Sequence, residues 1–294
     1  MDATQGWVPT IDEAVADVPS KGNQEGIFGY GTTGSQTAVT NLVSNTGVVS
    51  TDVTGVGTAR ESLAACEYGG DKGIFGYGWT GSAQSVTNLV SNAGVVATDV
   101  TGVGTARYAL AACSYSANKD KGIFGFGYSS SYVSMSNLVS NAGVVATDTT
   151  GVGTARGEPA ACEYGGDKGI FGFGYDGSYY GMTNLVSNTG VVATDVTAVG
   201  TVRRALAACG YGYDKGIFGF GYDGSYYGMT NLVSNTGVVA TDVTAVGTAR
   251  RTPAACGYAY DKGIFGFGYT GSYVGMTNLV SNAGVVATDV SAVG

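Results

Sequence analysis

The chain has 294 residues, 12% of them charged and 44% hydrophobic, and its formal net charge is −8. This composition excludes a disordered chain, which would be rich in charge and poor in apolar residues. The acidic balance without a basic patch argues against a nucleic-acid partner, and no apolar stretch is long enough to predict a membrane span. The sequence has no histidine, which removes Ser-His-Asp and Cys-His catalysis and histidine metal sites.

The segment Asn-Leu-Val-Ser-Asn occurs six times, beginning at Asn41, Asn88, Asn137, Asn184, Asn231 and Asn278. The spacings are 47, 49, 47, 47 and 47 residues. A repeat of this length is one supersecondary unit that buries its apolar face only against its neighbours. We expect repeat units that start near residues 26, 73, 122, 169, 216 and 263 within one domain, residues 13–294.

We expect no secretory signal before the first repeat, because residues 1–20 have neither a basic end nor an apolar stretch. Residues 1–12 are expected to form an N-terminal arm. Residues 13–18 stand where the other repeats carry a strand, so we expect them to supply that strand in diverged form.

The fourth repeat shows four segments typical of short antiparallel strands, separated by turn residues. They are Lys168–Tyr175, Met182–Ser187, Val191–Val196 and Arg203–Cys209. In the first of them, strict alternation would place Phe171, Phe173 and Tyr175 on one face and glycines on the other, so that rings of one sheet pack on the bare backbone of the next. Four strands in each repeat predict an all-β, six-bladed β-propeller, with a β-solenoid as the alternative.

One cysteine recurs at the same place in five repeats: Cys66, Cys113, Cys162, Cys209 and Cys256. An odd number at the repeat spacing predicts small, buried, free thiols in place of disulfides or a metal site. Free thiols are typical of a reducing compartment. Pro159 and Pro253 replace leucine in two copies of this segment, which indicates an edge strand, and we expect it to be innermost.

The stretch from Arg156 to Cys162, followed by Lys168 to Gly174, resembles the kelch repeat. That family has an arginine before its first strand and a glycine pair closing its second. Here the pair is split as Gly172-Phe173-Gly174, so the likeness is to the pattern and not to the strict motif. It covers residues from about 25 to 294. The repeats also resemble those of kelch-like phage proteins, particularly aquatic ones, which implies a virion as the setting.

The repeated charged residues are expected to be structural. One aspartate per repeat follows a threonine, and a residue needed identically in every unit predicts a hydrogen-bond acceptor more than a catalyst. One arginine recurs at the same place five times, as Arg60, Arg107, Arg156, Arg203 and Arg250. Each is expected to pair with a neighbouring carboxylate or carbonyl, with a ring of arginines binding an anion as the alternative. Carboxylate pairs for glycosidic cleavage stay open as a further alternative. No catalytic residue, metal or cofactor is predicted.

Differences between repeats collect after the Gly-Ile-Phe-Gly segment, in loops rich in tyrosine. Tyrosine with serine, glycine and asparagine is typical of contact surfaces. The predicted partner-binding residues are Tyr175, Tyr179, Tyr180, Tyr222, Tyr226, Tyr227, Tyr269 and Tyr273. The alternative is that these rings only cover a glycine-rich sheet.

These observations predict a non-enzymatic structural or recognition propeller, folded in a host cytoplasm and located in a phage virion as a fibre, tail or head-surface protein. The expected partners are other virion or scaffold proteins, a host-surface glycan, or further copies of the chain. A stand-alone bacterial lectin or protein-binding propeller is the first alternative, and a glycan-acting enzyme is the second.

Overall fold

The computed structural model of the protein describes residues 24–197, 199–244 and 246–291, and these contain 17 β-strands and no helix. No element in these ranges is therefore a helix that could cross a membrane. The predicted arm, residues 1–12, and the predicted sixth innermost strand, residues 13–18, lie outside the described residues.

The strands form six antiparallel sheets, one per repeat. The first sheet holds β1 (Gly26–Thr32) and β2 (Gln36–Val43). The other sheets hold β3 (Ala64–Tyr68), β4 (Lys72–Trp79) and β5 (Ala83–Val90); β6 (Ala111–Tyr115), β7 (Lys121–Gly125) and β8 (Ser136–Val139); β9 (Ala160–Tyr164), β10 (Lys168–Tyr175) and β11 (Tyr179–Val186); β12 (Ala207–Tyr211), β13 (Lys215–Tyr222) and β14 (Tyr226–Val233); and β15 (Ala254–Tyr258), β16 (Lys262–Gly266) and β17 (Thr277–Val280).

Each three-stranded sheet has the cysteine-containing strand at one edge, as in the order β9-β10-β11. The cysteine strands of successive repeats also contact one another, β3 with β6, β6 with β9, β9 with β12 and β12 with β15. This places them on the side where the sheets converge, as the sequence predicted. The edge strand is shorter than expected: the segment Arg203–Cys209 becomes a strand only at β12, because Ala205 adopts a left-handed φ of 55°.

The fourth strand expected in each repeat is not a continuous strand in the described residues. The segment predicted over Val191–Val196 makes two isolated bridges, Val186 with Val192 and Thr183 with Val196. Between these two bridges β11 advances by three residues, from 183 to 186, whereas the outer segment advances by four, from 192 to 196. The extra residue interrupts the hydrogen-bond ladder as a β-bulge does. The second to sixth repeats thus have three continuous strands each, where the sequence predicted four.

A second bulge corrects the predicted faces of β10. The register shifts between Gly172 and Gly174, and Phe173 between them has a φ of 63°. As a result Phe171 packs toward the preceding repeat, beside Phe126, whereas Phe173 packs toward the following repeat, beside Phe218. The prediction that Phe171 and Phe173 share a face was wrong, because alternation reverses at the bulge.

The predicted packing of rings on glycines is confirmed. A Cβ added at Gly172 would lie 2.8 Å from Cζ of Phe218 in the next sheet, and Gly76, Gly125 and Gly219 face the next repeat's phenylalanine in the same way. Gly266 of the sixth sheet meets Cζ of Phe28 in the first sheet at 2.9 Å. The sheet-to-sheet contacts therefore close on themselves after six repeats.

Backbone hydrogen bonds also link neighbouring repeats at both ends of the sheets. At one end Glu158 N donates to Ala109 O at 2.7 Å, and Ala205 N donates to Glu158 O at 3.1 Å. At the other end Gly165 N donates to Asp214 O at 2.7 Å, and Ala259 N of the sixth repeat donates to Gln24 O of the first at 2.7 Å. Neighbouring sheets are thus joined by polar as well as apolar contacts.

Candidate functional site

The two ends of the sheets differ in chemistry. The end with the β10–β11 connection, and its equivalents, carries the tyrosine-rich loops, and is called the tyrosine end here. The opposite end, with the β9–β10 connection and its equivalents, carries one Asp-Lys pair in each of the second to sixth repeats and is called the lysine end. Both ends, and the space between the cysteine strands, are candidate sites.

The repeated arginines are buried and structural, as predicted. Arg203 is 0% exposed, and it donates to Phe220 O at 2.7 Å, Thr201 O at 2.9 Å and Asn231 Oδ1 at 2.6 Å. Its guanidinium also lies 4.5 Å from the ring centroid of Phe173 in the preceding repeat. Burial lowers the pKa of Arg203 to about 10, although Asp242 nearby raises it. These bonds occupy the guanidinium, so it is not available to an anion.

The repeated aspartates are acceptors within the same network. Asp195 accepts from Thr154 N at 3.0 Å, from Thr154 Oγ1 at 2.7 Å and from Asn184 Nδ2 at 2.8 Å. Burial raises the pKa of Asp195, but these hydrogen bonds and the charge of Arg156 outweigh it, so the pKa lies below its ordinary value of 3.8. The residue is thus a hydrogen-bond acceptor, as predicted, and it ties the outer segment to the linker 41 residues earlier.

The cysteines are all free, and Cys113, Cys162 and Cys209 are buried, whereas Cys66 and Cys256 are partly exposed. Each sulfur packs on a glycine of the next repeat, as Cys162 does on Gly216. Burial raises the pKa of the Cys209 thiol to about 12, so the reactive thiolate is scarce at neutral pH. These positions are therefore packing sites.

A cavity of about 700 Å³ lies between the cysteine strands toward the lysine end. Its distinctive residue is Lys119, in the turn that makes the third repeat two residues longer. Lys119 Nζ lies 2.5 Å from Glu163 Oε2 and donates to Tyr213 O at 3.3 Å, so it joins three repeats. Glu67 lines this cavity and is exposed, yet the surrounding protein and the charge of Glu163 raise its pKa to about 7, against the opposing charge of Lys119.

Aromatic rings form two arcs at the tyrosine end. The first arc runs from the second to the fourth repeat, through Trp79, Tyr108, Tyr128, Tyr132, Tyr175 and Tyr179, with centroid separations of 4.8 to 6.2 Å. The second runs through Tyr222, Tyr226, Tyr269 and Tyr273, with separations of 5.3 to 6.3 Å. Six of the eight predicted binding residues thus lie in two continuous surfaces.

The other two predicted residues lie apart from the arcs. The hydroxyl of Tyr180 donates to Asp176 at 3.0 Å and that of Tyr227 donates to Asp223 at 2.9 Å. Strand alternation separates them from their neighbours Tyr179 and Tyr226. Their hydroxyls therefore brace their own turns.

Several residues of this end were not predicted from the sequence. Arg204 and Arg251 are cations at the tyrosine end: the Arg204 guanidinium lies 4.4 Å from the Tyr175 centroid, and that of Arg251 lies 5.0 Å from the Tyr269 centroid. Glu158 faces Arg204 at 3.5 Å. The sequence did carry a signal for them: these residues, like Tyr108, lie one or two positions after the repeated arginine, and the repeats differ at those positions.

Within the described ranges no group of three or more His, Cys, Asp or Glu side chains is placed to hold a metal ion. A comparison of the chain with protein-family models and with curated proteins finds no match. The kelch and phage resemblances therefore stay predictions.

Proposed function

We propose that the chain is a six-bladed β-propeller that acts as a non-enzymatic recognition or structural module, with the tyrosine end as its contact surface. The cyclic contact between Gly266 and Phe28 supports the propeller, as do the mutual contacts of the cysteine strands. In this proposal the irregular fourth strand of each blade is the segment equivalent to Val191–Val196, which makes two isolated bridges in each repeat.

The observation that carries the recognition role is the pair of aromatic arcs. Rigid rings that are half-buried beside one another lose little conformational entropy when a partner covers them. The arcs also coincide with the positions where the repeats differ, whereas the buried Arg-Asn-Asp network is the same in the second to sixth repeats. Variation on a constant framework is how binding surfaces are commonly built.

The setting we propose is a phage virion, as a fibre, tail or head-surface protein, because of the resemblance to phage repeats. Its contacts there would be other virion proteins or a host-surface glycan. A free-standing bacterial lectin or protein-binding propeller would use the same tyrosine end.

A glycan-acting enzyme is the second candidate, and one observation favours it. Glu67 and Glu163 share the central cavity, and the raised pKa of Glu67 would suit a general acid. Lys119 already pairs with Glu163, however, which accounts for that carboxylate structurally. Glycan hydrolysis abolished by Glu67→Gln would establish the enzyme and exclude our proposal.

The recognition role is tested with the component that co-purifies with the native protein, identified by mass spectrometry and then purified. Changing Tyr179 and Tyr226 to Ser should weaken its binding at least tenfold, about 1.4 kcal/mol. The matched control changes the adjacent Tyr180 and Tyr227 to Phe, outside the arcs, and should bind normally. Val191 is exposed at the lysine end, in the turn that follows β11. Equal binding by the Ser variant, or protection of Val191 in the complex, would contradict the proposal.

A further inference from the structure

A cavity of about 260 Å³ opens on the tyrosine end between the third and fourth repeats. Its walls are four half-buried tyrosines, Tyr108, Tyr128, Tyr132 and Tyr175. The Tyr128 centroid lies 5.5 Å from that of Tyr108 and 5.0 Å from that of Tyr132, which reaches Tyr175 at 6.2 Å. Pockets for drug-sized ligands usually hold about 300–1,000 Å³, so this volume suits one small ring.

The pocket exists because the fourth repeat lacks a side chain at one position. The residue after the buried arginine is Gly157 in this repeat. In the other described repeats it is Glu61, Tyr108, Arg204 or Arg251. A Cβ added at Gly157 would lie 3.1 Å from Cε1 of Tyr132, so a side chain there would crowd Tyr132 and fill the space.

The next position places a carboxylate in the same pocket. Glu158 replaces residues that carry no charge in the other described repeats, Ser62, Ala109, Ala205 and Thr252. All five share a left-handed φ of 51° to 55°. The carboxylate of Glu158 lies 3.5 Å from Nε of Arg204, which also lines the pocket, and both side chains are partly exposed, at 37% and 24%. The fourth repeat has thus exchanged two adjacent residues for an opening and a hydrogen-bonding group.

We propose that this pocket binds one neutral sugar ring, an inference that rests on the recognition role proposed above. A sugar ring has an apolar C–H face and an edge of hydroxyls. The tyrosine rings can pack against the face. Glu158 can accept, and Arg204 can donate, hydrogen bonds at the edge, and bonds to charged partners are the stronger kind.

A charged ligand fits the same residues less well. The guanidinium of Arg204 already lies 4.4 Å from the Tyr175 centroid and 5.8 Å from that of Tyr179, which is where a ligand cation would stack. An anion would approach the carboxylate of Glu158. Neutral hydroxyls meet neither obstacle, because the two protein charges already balance each other.

Saturation-transfer NMR with glucose, galactose, mannose and N-acetylglucosamine, each added singly to the full chain, tests the inference. We expect at least one sugar to bind with a Kd of about 1 mM. Glu158→Ala should weaken that binding at least tenfold and preserve the fold, because Ala109 and Ala205 occupy the equivalent position with the same backbone. The matched control is Thr252→Ala, at the equivalent position outside the pocket, and it should bind as the unmodified chain does.

Absence of saturation transfer from all four sugars would overturn the inference, and so would binding that survives Glu158→Ala. Binding of choline or glucuronate without any neutral sugar would overturn it as well. The recognition role is separable: if sugars fail while the Tyr179 and Tyr226 double variant still loses its partner, recognition stands and only the sugar is wrong.

Discussion

Adding one methyl group at Gly172 should destabilise the protein measurably, because this glycine is where two sheets meet. The new Cβ would lie 2.8 Å from Cζ of Phe218, whereas ordinary contacts begin at 3.4 Å, so the ring would have to retreat by 0.6 Å (3.4 − 2.8). Phe218 is 0% exposed, and because protein interiors are close-packed, its neighbours oppose such a movement. Overpacking of this kind costs about 1–3 kcal/mol, so Gly172→Ala should lower the free energy of unfolding by that amount.

Urea unfolding followed by tyrosine fluorescence measures the change, and Gly210→Ala is its matched control. Gly210 also lies in a strand, but an added Cβ would have only Lys215 O nearby, at 3.7 Å. Since alanine restricts the unfolded chain, the control should be neutral or stabilising by up to about 1 kcal/mol. Equal stability of the Gly172 and Gly210 variants would refute the tight packing of rings on glycines.

Three further outcomes follow from the described contacts. Arg203→Met should cost about 3–5 kcal/mol by unfolding, because it leaves buried acceptors unpaired, whereas Arg204→Met, one residue on and partly exposed, should cost about 1 kcal/mol or less. The raised pKa of Glu67 means that the folded state binds more protons than the unfolded state between pH 4.5 and about 7. Stability should therefore fall as pH rises through that window, and Glu67→Gln should remove this slope. Thiol labelling should be slow in the folded protein and complete in urea, and Cys209→Ala should cost about 1 kcal/mol; rapid labelling of Cys209 would contradict its burial.

Much of the framework could be predicted because the repeat multiplies every local signal. Lys168–Tyr175 was predicted as a strand at the bounds that β10 has, since turn residues flank it on both sides. The faces of that strand could not be predicted. Alternation assumes extended backbone at each residue, and nothing in the sequence announces that Phe173 takes a positive φ, a conformation usually associated with glycine.

The candidate site was predictable only in part for a similar reason. Comparing repeats identified Tyr179 and Tyr226, because the copies differ in the segment around them, although the structure places both at the start of a strand, β11 or β14, and not in a loop. Glu158 and Tyr108 stand in a segment expected to be strand, and only the left-handed backbone there turns them toward the tyrosine loops. Their partners belong to other repeats, and such distances are not visible in one sequence.

The closing contact between Phe28 and Gly266 also bears on how molecules behave before they have closed. It joins positions 239 residues apart (267 − 28, for the ring pair Phe28 and Phe267), against 45 (218 − 173) for the equivalent pair Phe173 and Phe218 of neighbouring repeats. By loop-closure scaling this costs only about 1.4 kcal/mol more than joining neighbours. Until it forms, however, an open molecule presents a ring-bearing face at one end and a complementary glycine face at the other. Such faces join head to tail without closing, so concentrated refolding should divert chains into linear polymers, whereas dilution should favour single closed molecules.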